Sequence, residues 1–503
     1  MLSLFRQQPR AFYMIFMLEL WERFGFYTAQ GILTLYFIRF LGYSDTQAYY
    51  TFGAFSALVY GMVVLGGYLG DKILGTKRTI VLGLVILSLG YFSLAIANKH
   101  NVFLALGLIC VGNGLFKANP SNLLAKCYHD NDPRLHGGFT LYYMAINLGS
   151  MVALFAGPTI SSRYGYSYAY FLSAVGLVLG VVNYLFQRKH VAHIQTKADQ
   201  RQIHFSQWNL MIIGVIALTL CSAYLLQHVL MAQALLWLVI FIALLIYAFY
   251  MSREDKISAL RMFVAFILMI EAIAFFTLYQ QMPTSLNLFA VHNVRPTFLG
   301  ISIDPQSFQA LNPIWIVLMS PVLATMYSRL HKGGTSFTIA HKFALGMTMC
   351  GLSFLLLYFA RFASSESGMV SSWWMVVSYL LQSLGELLVS ALGVAMVAEL
   401  VPIQIAGFVM GMWFLTSAIS GFTGAFVASY TAIPQHVNAG IGSLMIYTKV
   451  FAGIGLFTLA ASLVMWLLAP WLNRVIAMKA EVFGEALEMD TEDLSKESLM
   501  PEI

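Results

Sequence analysis

Near the start of the chain, Glu19, Glu22 and Arg23 stand inside an apolar stretch, in the run Glu19-Leu-Trp-Glu22-Arg23-Phe24. At the helical step of about 100° per residue, they share a stripe of roughly 140° with Phe26, Tyr27 and Gln30. Residues 12–18 and most of 32–38 are apolar, so the stretch is long enough to cross a bilayer. Charges at membrane depth are costly and normally face a bundle interior or a wet cavity. An arginine neighbour favours the ionised form of a carboxylate while loss of water opposes it, so proton occupancy can answer to a shift of the partner. That is the chemistry of a proton relay coupled to movement. The plainer reading is an ion pair that only locks this helix to its neighbours; it accounts for one carboxylate and leaves the second unexplained.

Two further charges lie far apart in sequence. Lys117 falls in Gly112-Asn113-Gly114-Leu-Phe-Lys117-Ala-Asn119-Pro120, with apolar residues on both sides and Asn113 one turn earlier on its face. A lysine at a helix end snorkels to the surface; one this far inside a span points to a ligand or a charge partner. Glu386 lies in Gln382-Ser383-Leu-Gly385-Glu386-Leu-Leu-Val-Ser390, with Ser383 and Ser390 on its face. A cation from one half of the chain and an anion from the other are what a zwitterionic ligand needs, and such a ligand would draw the halves together. Asn147, after Tyr142 and Tyr143, reads equally as a ligand contact or as interhelical glue. Asn312-Pro313 and the run Gln280 to Ser285 are polar helix breaks of the kind that line cavities. Trp413 and Ser417, one turn apart, suit the same wall or plain packing. Glu271 is deep and without an evident partner, and Glu399, close to Pro402, reads as structural.

The elements that must position these residues are membrane helices. Hydrophobic residues make up 59% of the 503 and charged residues 10%, against about 25% charge in a soluble domain, and mean hydropathy is +0.75. Apolar runs punctuated by Gly, Pro and charge predict spans at about 10–40, 46–70, 78–97, 101–127, 137–163 and 167–187. A polar segment follows, then a close pair at 208–227 and 231–251. A second set of six lies at 257–281, 308–328, 338–361, 372–400, 404–430 and 444–472. The expectation is an all-α polytopic membrane protein of fourteen transmembrane helices. It divides into a six-helix bundle (1–190), a linker with two inserted helices (191–256), a second six-helix bundle (257–478) and a polar tail (479–503). Lysine and arginine crowd the loops on the side of both termini, with Lys72, Lys77, Arg78, Lys126, Arg134, Arg188, Lys189, Arg253, Lys256 and Arg474 among them. The other side holds Arg39, Lys99, Arg163, Arg295, Arg361 and Lys449, which predicts both termini in the cytoplasm. Cys110, Cys127, Cys221 and Cys350 are scattered in apolar runs without metal-ligand spacing.

An even insertion leaves both halves starting from the same side, the parallel arrangement that lets two bundles rock about a central site. The loop Gly67-Tyr-Leu-Gly-Asp71-Lys72-Ile-Leu-Gly75-Thr-Lys77-Arg78 resembles the inner-loop signature of the major facilitator superfamily, which implies that fold. Glu19-Leu-Trp-Glu22-Arg23-Phe24 further resembles the ExxERF signature of the proton-coupled oligopeptide transporters. Gly112 to Pro120, Asn312-Pro313 and Gly385-Glu386-Leu-Leu fall in the spans where that family carries its motifs, and the inserted pair is similar to its bacterial, enterobacterial dipeptide and tripeptide branch. The resemblance covers nearly the whole chain. It implies that Lys117 meets the peptide carboxylate and that Glu386, with Asn147 or Asn312, meets the peptide amine. It also implies that Tyr27, Tyr60 and Trp413 line the cavity while Glu19, Glu22 and Arg23 couple the proton. Gln30 and Gln280 depart from the pattern, each standing where many members carry a charge.

Together these readings predict a proton-coupled symporter importing di- and tripeptides through the inner (plasma) membrane, acting as a monomer. The partners are then peptide, protons and the lipid bilayer, with neither nucleic acid nor cofactor. The nearest alternative is a proton symporter of the same scaffold for nitrate, an amino acid or a peptide-like drug. A channel or a non-transporting sensor is the rival of another class. No nucleophile–base pair or metal-ligand spacing suggests an enzyme.

Overall fold

In lipid every backbone polar group must find its partner within the chain, so apolar stretches of this length have helix as their one compact solution. The computed structural model describes residues 5–129, 132–332, 338–389, 400–402, 404–434, 437 and 440–497, with side chains described for all of these except 330–332 and 479–497. The first half comprises α1 (Arg10–Tyr36), α2 (Asp45–Tyr68), α3 (Thr76–Ala95), α4 (Val102–Lys117), α5 (Asn119–Ala125), α6 (Arg134–Tyr164) and α7 (Tyr166–Gln187). A short α8 (Lys197–Gln200) leads to the inserted pair, α9 (Phe205–Gln227) and α10 (Val229–Met251). The second half holds α11 (Lys256–Tyr279), α12 (Ser285–Asn293), α13 (Leu311–Lys332), α14 (Ile339–Phe359), α15 (Trp373–Val389), α16 (Ala406–Ser429) and α17 (Ile441–Glu497). A two-residue hairpin, Thr297–Phe298 with Ile301–Ser302, sits between α12 and α13.

Every predicted span therefore carries a helix, in the expected order of six, two and six. Twelve helical segments among the described residues are long and apolar enough to cross a membrane. Two predicted spans fall outside that set. The 27-residue α1 carries Glu19, Glu22 and Arg23, and the 17-residue α15 borders residues 390–399, outside those described. Two large hydrophobic cores lie mainly one in each half, one around Phe12, Phe52, Tyr91 and Leu177, the other around Phe275, Phe343, Tyr379 and Phe451. The fourth span is not continuous: α4 stops at Lys117 and α5 begins at Asn119, whose Nδ2 donates to Leu115 O at 2.7 Å and Gly66 O at 3.3 Å. Pro120 supplies the reason, since it lacks the N–H that would continue the helical ladder.

Capping sets the helix starts. Ser44 and Gln47 form a reciprocal capping box on α2, and Asp255 accepts from the backbone N–H groups of Ile257 and Ser258 on α11. The basic loop of the major facilitator signature is docked. Gly75 takes φ +86, and Lys77 Nζ donates to Ile194 O (2.6 Å) and Val191 O (3.3 Å). Arg78 donates to Arg201 O at 3.0 Å, so the linker ahead of the inserted pair is tied to the first half.

The halves meet where backbones approach closely. A Cβ on Gly53 of α2 would lie 2.5 Å from Gly421 O of α16, and one on Gly421 2.6 Å from Gly53 O. Hydrogen bonds between the halves cluster toward one end of the bundle. Thr34 donates to Pro283 O (2.7 Å), and Asn287 and Gln309 donate to Gly31 O (3.2 and 2.9 Å). Ile433 N donates to Asp45 Oδ2 (3.1 Å), and the hydroxyls of Tyr49 and Thr431 share a 3.2 Å bond. That end is closed.

Candidate functional site

On α1 the predicted stripe closes into one buried cluster. Arg23 Nε lies 3.0 Å from Glu19 Oε1, and Arg23 Nη2 lies 2.5 Å from Glu22 Oε2. Glu19, Glu22 and Arg23 are 3%, 0% and 4% exposed, so neither carboxylate shares its partner with solvent. Each carboxylate has a second partner from another helix. Tyr142 of α6 donates to Glu19 Oε2 at 2.6 Å, and Asn113 Nδ2 of α4 donates to Glu22 Oε1 at 3.1 Å. The Arg23 guanidinium also lies 5.6 Å from the Phe26 ring centroid. Gly149 of α6 lets that helix approach, since a Cβ there would meet Leu20 O at 2.5 Å and the Arg23 side chain at 3.1 Å.

Lys117, at the last turn of α4, directs its ammonium to aromatic faces: Nζ is 3.6 Å from the Tyr60 ring centroid and 5.8 Å from that of Phe26. Phe26 thus lies under both cations, linking the α1 cluster to Lys117. In the second half, Asn312 Nδ2 of α13 donates to Glu386 Oε2 (2.7 Å) and to Ser383 Oγ (3.1 Å), both on α15. Lys117, Tyr60, Tyr27 and Glu386 are half-buried, each keeping access to open space, unlike the α1 cluster. Tyr27, Gln30, Tyr279, Gln309 and Asn312 border a crevice of about 20 Å³, room for a water and far too small for a peptide.

Of the other predicted residues, Asn312 joins Glu386, whereas the described contacts of Asn147 do not reach that carboxylate. Asn147 donates to Tyr143 O of its own helix (2.9 Å) and lines a groove of about 180 Å³ with Ile316 and Ser320 of α13. Gln280 donates to Ser56 Oγ at 2.7 Å, one turn from Tyr60 on α2. Gln30 Oε1 is buried without a partner among the described residues. Trp413 and Ser417 are buried on α16, Trp413 edge-on to Phe276 with centroids 6.4 Å apart. Glu271 is 5% exposed with Oε2 unpartnered among the described residues. Ser390 and Glu399 lie outside the described residues. Among those described, no group of three or more His, Cys, Asp or Glu side chains is placed to hold a metal ion.

Sequence reasoning missed Tyr142 and Asn113 as partners of the carboxylates. Asn113 was visible only as a polar residue on the Lys117 face, and nothing in the spacing pairs it with Glu22.

A scan for family likeness matches residues 77–447 to the POT family. The chain belongs to that family. Among its curated relatives is the dipeptide and tripeptide permease B of Salmonella typhimurium, 50% identical over 473 residues, covering 93% of this chain and 96% of the relative. The permease B of Yersinia enterocolitica is 50% identical over 478 residues, covering 94% and 97%. A solved bacterial homologue of the human drug peptide transporters PepT1 and PepT2 is 33% identical with TM-score 0.82, covering 93% of this chain and all of its own. Another solved POT relative, PepTSo2, is 34% identical with TM-score 0.82, covers 93% of this chain and 99% of its own, and is described as tetrameric. This POT member is thus a multi-pass membrane transporter with the major facilitator fold, not an enzyme.

Proposed function

We propose that the chain imports di- and tripeptides together with protons, by alternating access. The observation that carries this reading is the division of charge: Lys117 on α4 of the first half, Glu386 on α15 of the second, both half-buried. A peptide carboxylate exchanges Tyr60's ring face for direct pairing with Lys117, while the amine joins Glu386 beside Asn312. Tyr27, Gln30, Tyr60, Gln280, Trp413 and Ser417 form the walls, with Asn147 further along the groove between α6 and α13. The names of the permease relatives support the substrate class.

Glu19, Glu22 and Arg23 carry the proton coupling. A proton on Glu22 removes one of the two anions that pin Arg23, and the guanidinium is then free to re-pair as the halves move. Uphill transport follows when the empty carrier reorients in particular protonation states only. The closed end, at Pro283, Asp45 and Ile433, then faces the outside and the Lys72 loop the cytoplasm, in accord with the distribution of lysine and arginine.

With α1 and α15 also crossing, the chain makes fourteen passes of the inner membrane, both termini cytoplasmic. The working division is 1–190, 191–256, 257–478 and 479–503. Each chain holds both charged ends of the site, so the monomer is the transport unit. The test is uptake of labelled dialanine into proteoliposomes under an imposed inward proton gradient. Saturable accumulation, competed by other dipeptides and abolished by a protonophore, is expected; its absence, or competition by nitrate or free amino acids alone, would overturn the reading.

A further inference from the structure

The inserted pair does more than lean on the bundle. On the first half, Gly107 of α4 lies so close to α9 that a Cβ there would meet Thr219 O at 2.6 Å. On the second, Tyr247 of α10 donates to Met262 O of α11 at 2.6 Å. Between these anchors α10 stands off from the seam of α2 and α16 and borders a half-open pocket of about 490 Å³. Its walls include Leu58 and Gly61 of α2, Leu235 and Val239 of α10, and Gly411 and Leu415 of α16. Every lining residue is Gly, Ala, Val, Leu, Met or Phe.

Three of the walls' glycines look into free space. A Cβ on Gly61 or Gly407 would meet nothing within 4 Å, and one on Gly411 only Val64 at 3.9 Å. Gly53 and Gly66 of α2 and Gly421 of α16 serve close backbone contact; these three leave room.

We propose that this pocket binds one acyl chain of a bilayer phospholipid. Ordered water is disfavoured, because it needs two to four polar partners and the wall side chains offer none. A peptide is excluded for the same reason, its backbone donors and acceptors having nothing to meet. A hydrocarbon tail matches the apolar walls and their length. The stretch from Ala232 to Ala243, about 16 Å, equals the depth of one leaflet, about 15 Å of a 30 Å core. The walls belong to membrane-spanning helices, at the depth where such chains lie, and those of α2 and α16 come one from each moving half. The chain is therefore a filler of the seam that must shear during transport, and the inserted pair is the clasp that retains it.

The double variant Gly61→Leu, Gly411→Leu fills the pocket from within, and Gly214→Leu, on α9 away from it, is the control. Purified proteins are reconstituted with phosphatidylcholine bearing a nitroxide near the chain's methyl end, and the motion-restricted fraction is read by electron spin resonance. The double variant is expected to lose a restricted chain that wild type and Gly214→Leu retain. Equal restricted fractions in all three would overturn the proposal. Independently of any variant, phosphatidylcholine with a photoreactive tail is cross-linked to wild-type protein and mapped by mass spectrometry. Adducts concentrated on 57–65, 232–243 and 407–422 are expected; adducts confined to other faces would overturn it.

Discussion

The substitution Glu22→Gln separates coupling from architecture. Glutamine keeps the size of the side chain, and its carbonyl can still accept from Asn113, 3.1 Å away in the native protein. What disappears is the charge facing Arg23 Nη2. Removing one partner of a buried pair costs about 3–5 kcal/mol when the other is stranded. Arg23 is not stranded, because Glu19 remains 3.0 Å from Nε and is itself held by Tyr142. The expected loss is therefore that of one charged hydrogen bond, about 1.5–3 kcal/mol, and the protein should fold with a lowered melting temperature. Proton-driven accumulation of dialanine should vanish. Exchange of internal for external peptide, which needs no net proton movement, should persist. Both assays and thermal unfolding are run on the same purified variant. A folded variant that still concentrates peptide would remove Glu22 from the coupling role, and one that neither folds nor exchanges would make the pair structural.

Five further outcomes are expected. Lys117→Ala should abolish proton-driven uptake, while Tyr60→Leu, removing the ring 3.6 Å from Nζ, should change peptide affinity by a cation–π increment of about 1–2 kcal/mol in titration calorimetry. Glu386→Ala should weaken peptides with a free amine by about 2–5 kcal/mol and amine-blocked ones less; equal loss in competition assays would exclude Glu386 as the amine site. Gln280→Glu places a carboxylate beside Ser56, one turn from Tyr60, and should shift the pH profile of uptake by giving Lys117 a titratable partner; an unchanged profile would show that the two do not meet. Gly421→Leu drives a side chain into Gly53 O, 2.6 Å from the new Cβ, and should open the α2–α16 seam, read as a longer spin-label distance and lost uptake.

Helix order was legible because a span needs about 20 apolar residues and little else in the chain has that composition. The charged candidates were legible for the complementary reason: an ionisable residue in such a run is conspicuous. The partners were not. Tyr142 and Asn113 meet Glu19 and Glu22 across helices 123 and 91 positions away, a relation that no periodicity along one helix encodes. The break at Ala118 was written in Asn119-Pro120, yet hydropathy carries on through it, so Lys117 reads as mid-helix when it ends one. Between Asn147 and Asn312 sequence offered no choice; the turn of α13 that brings Asn312 to Glu386 is a tertiary fact.

The five charges assigned to the proposed site have an electrical consequence. Glu19, Glu22 and Glu386 against Arg23 and Lys117 sum formally to one negative charge. A zwitterionic peptide adds none, and one proton brings the total to zero. On this assignment the loaded carrier crosses without electrical work, and the membrane potential acts on the return of the empty, negative carrier, which a negative interior drives outward. Each 100 mV across the full barrier is worth about 2.3 kcal/mol for that charge, and at about 1.4 kcal/mol per decade this is roughly a fortyfold gain in the peptide gradient the protein can sustain. Voltage, in such a carrier, does its work when nothing is bound.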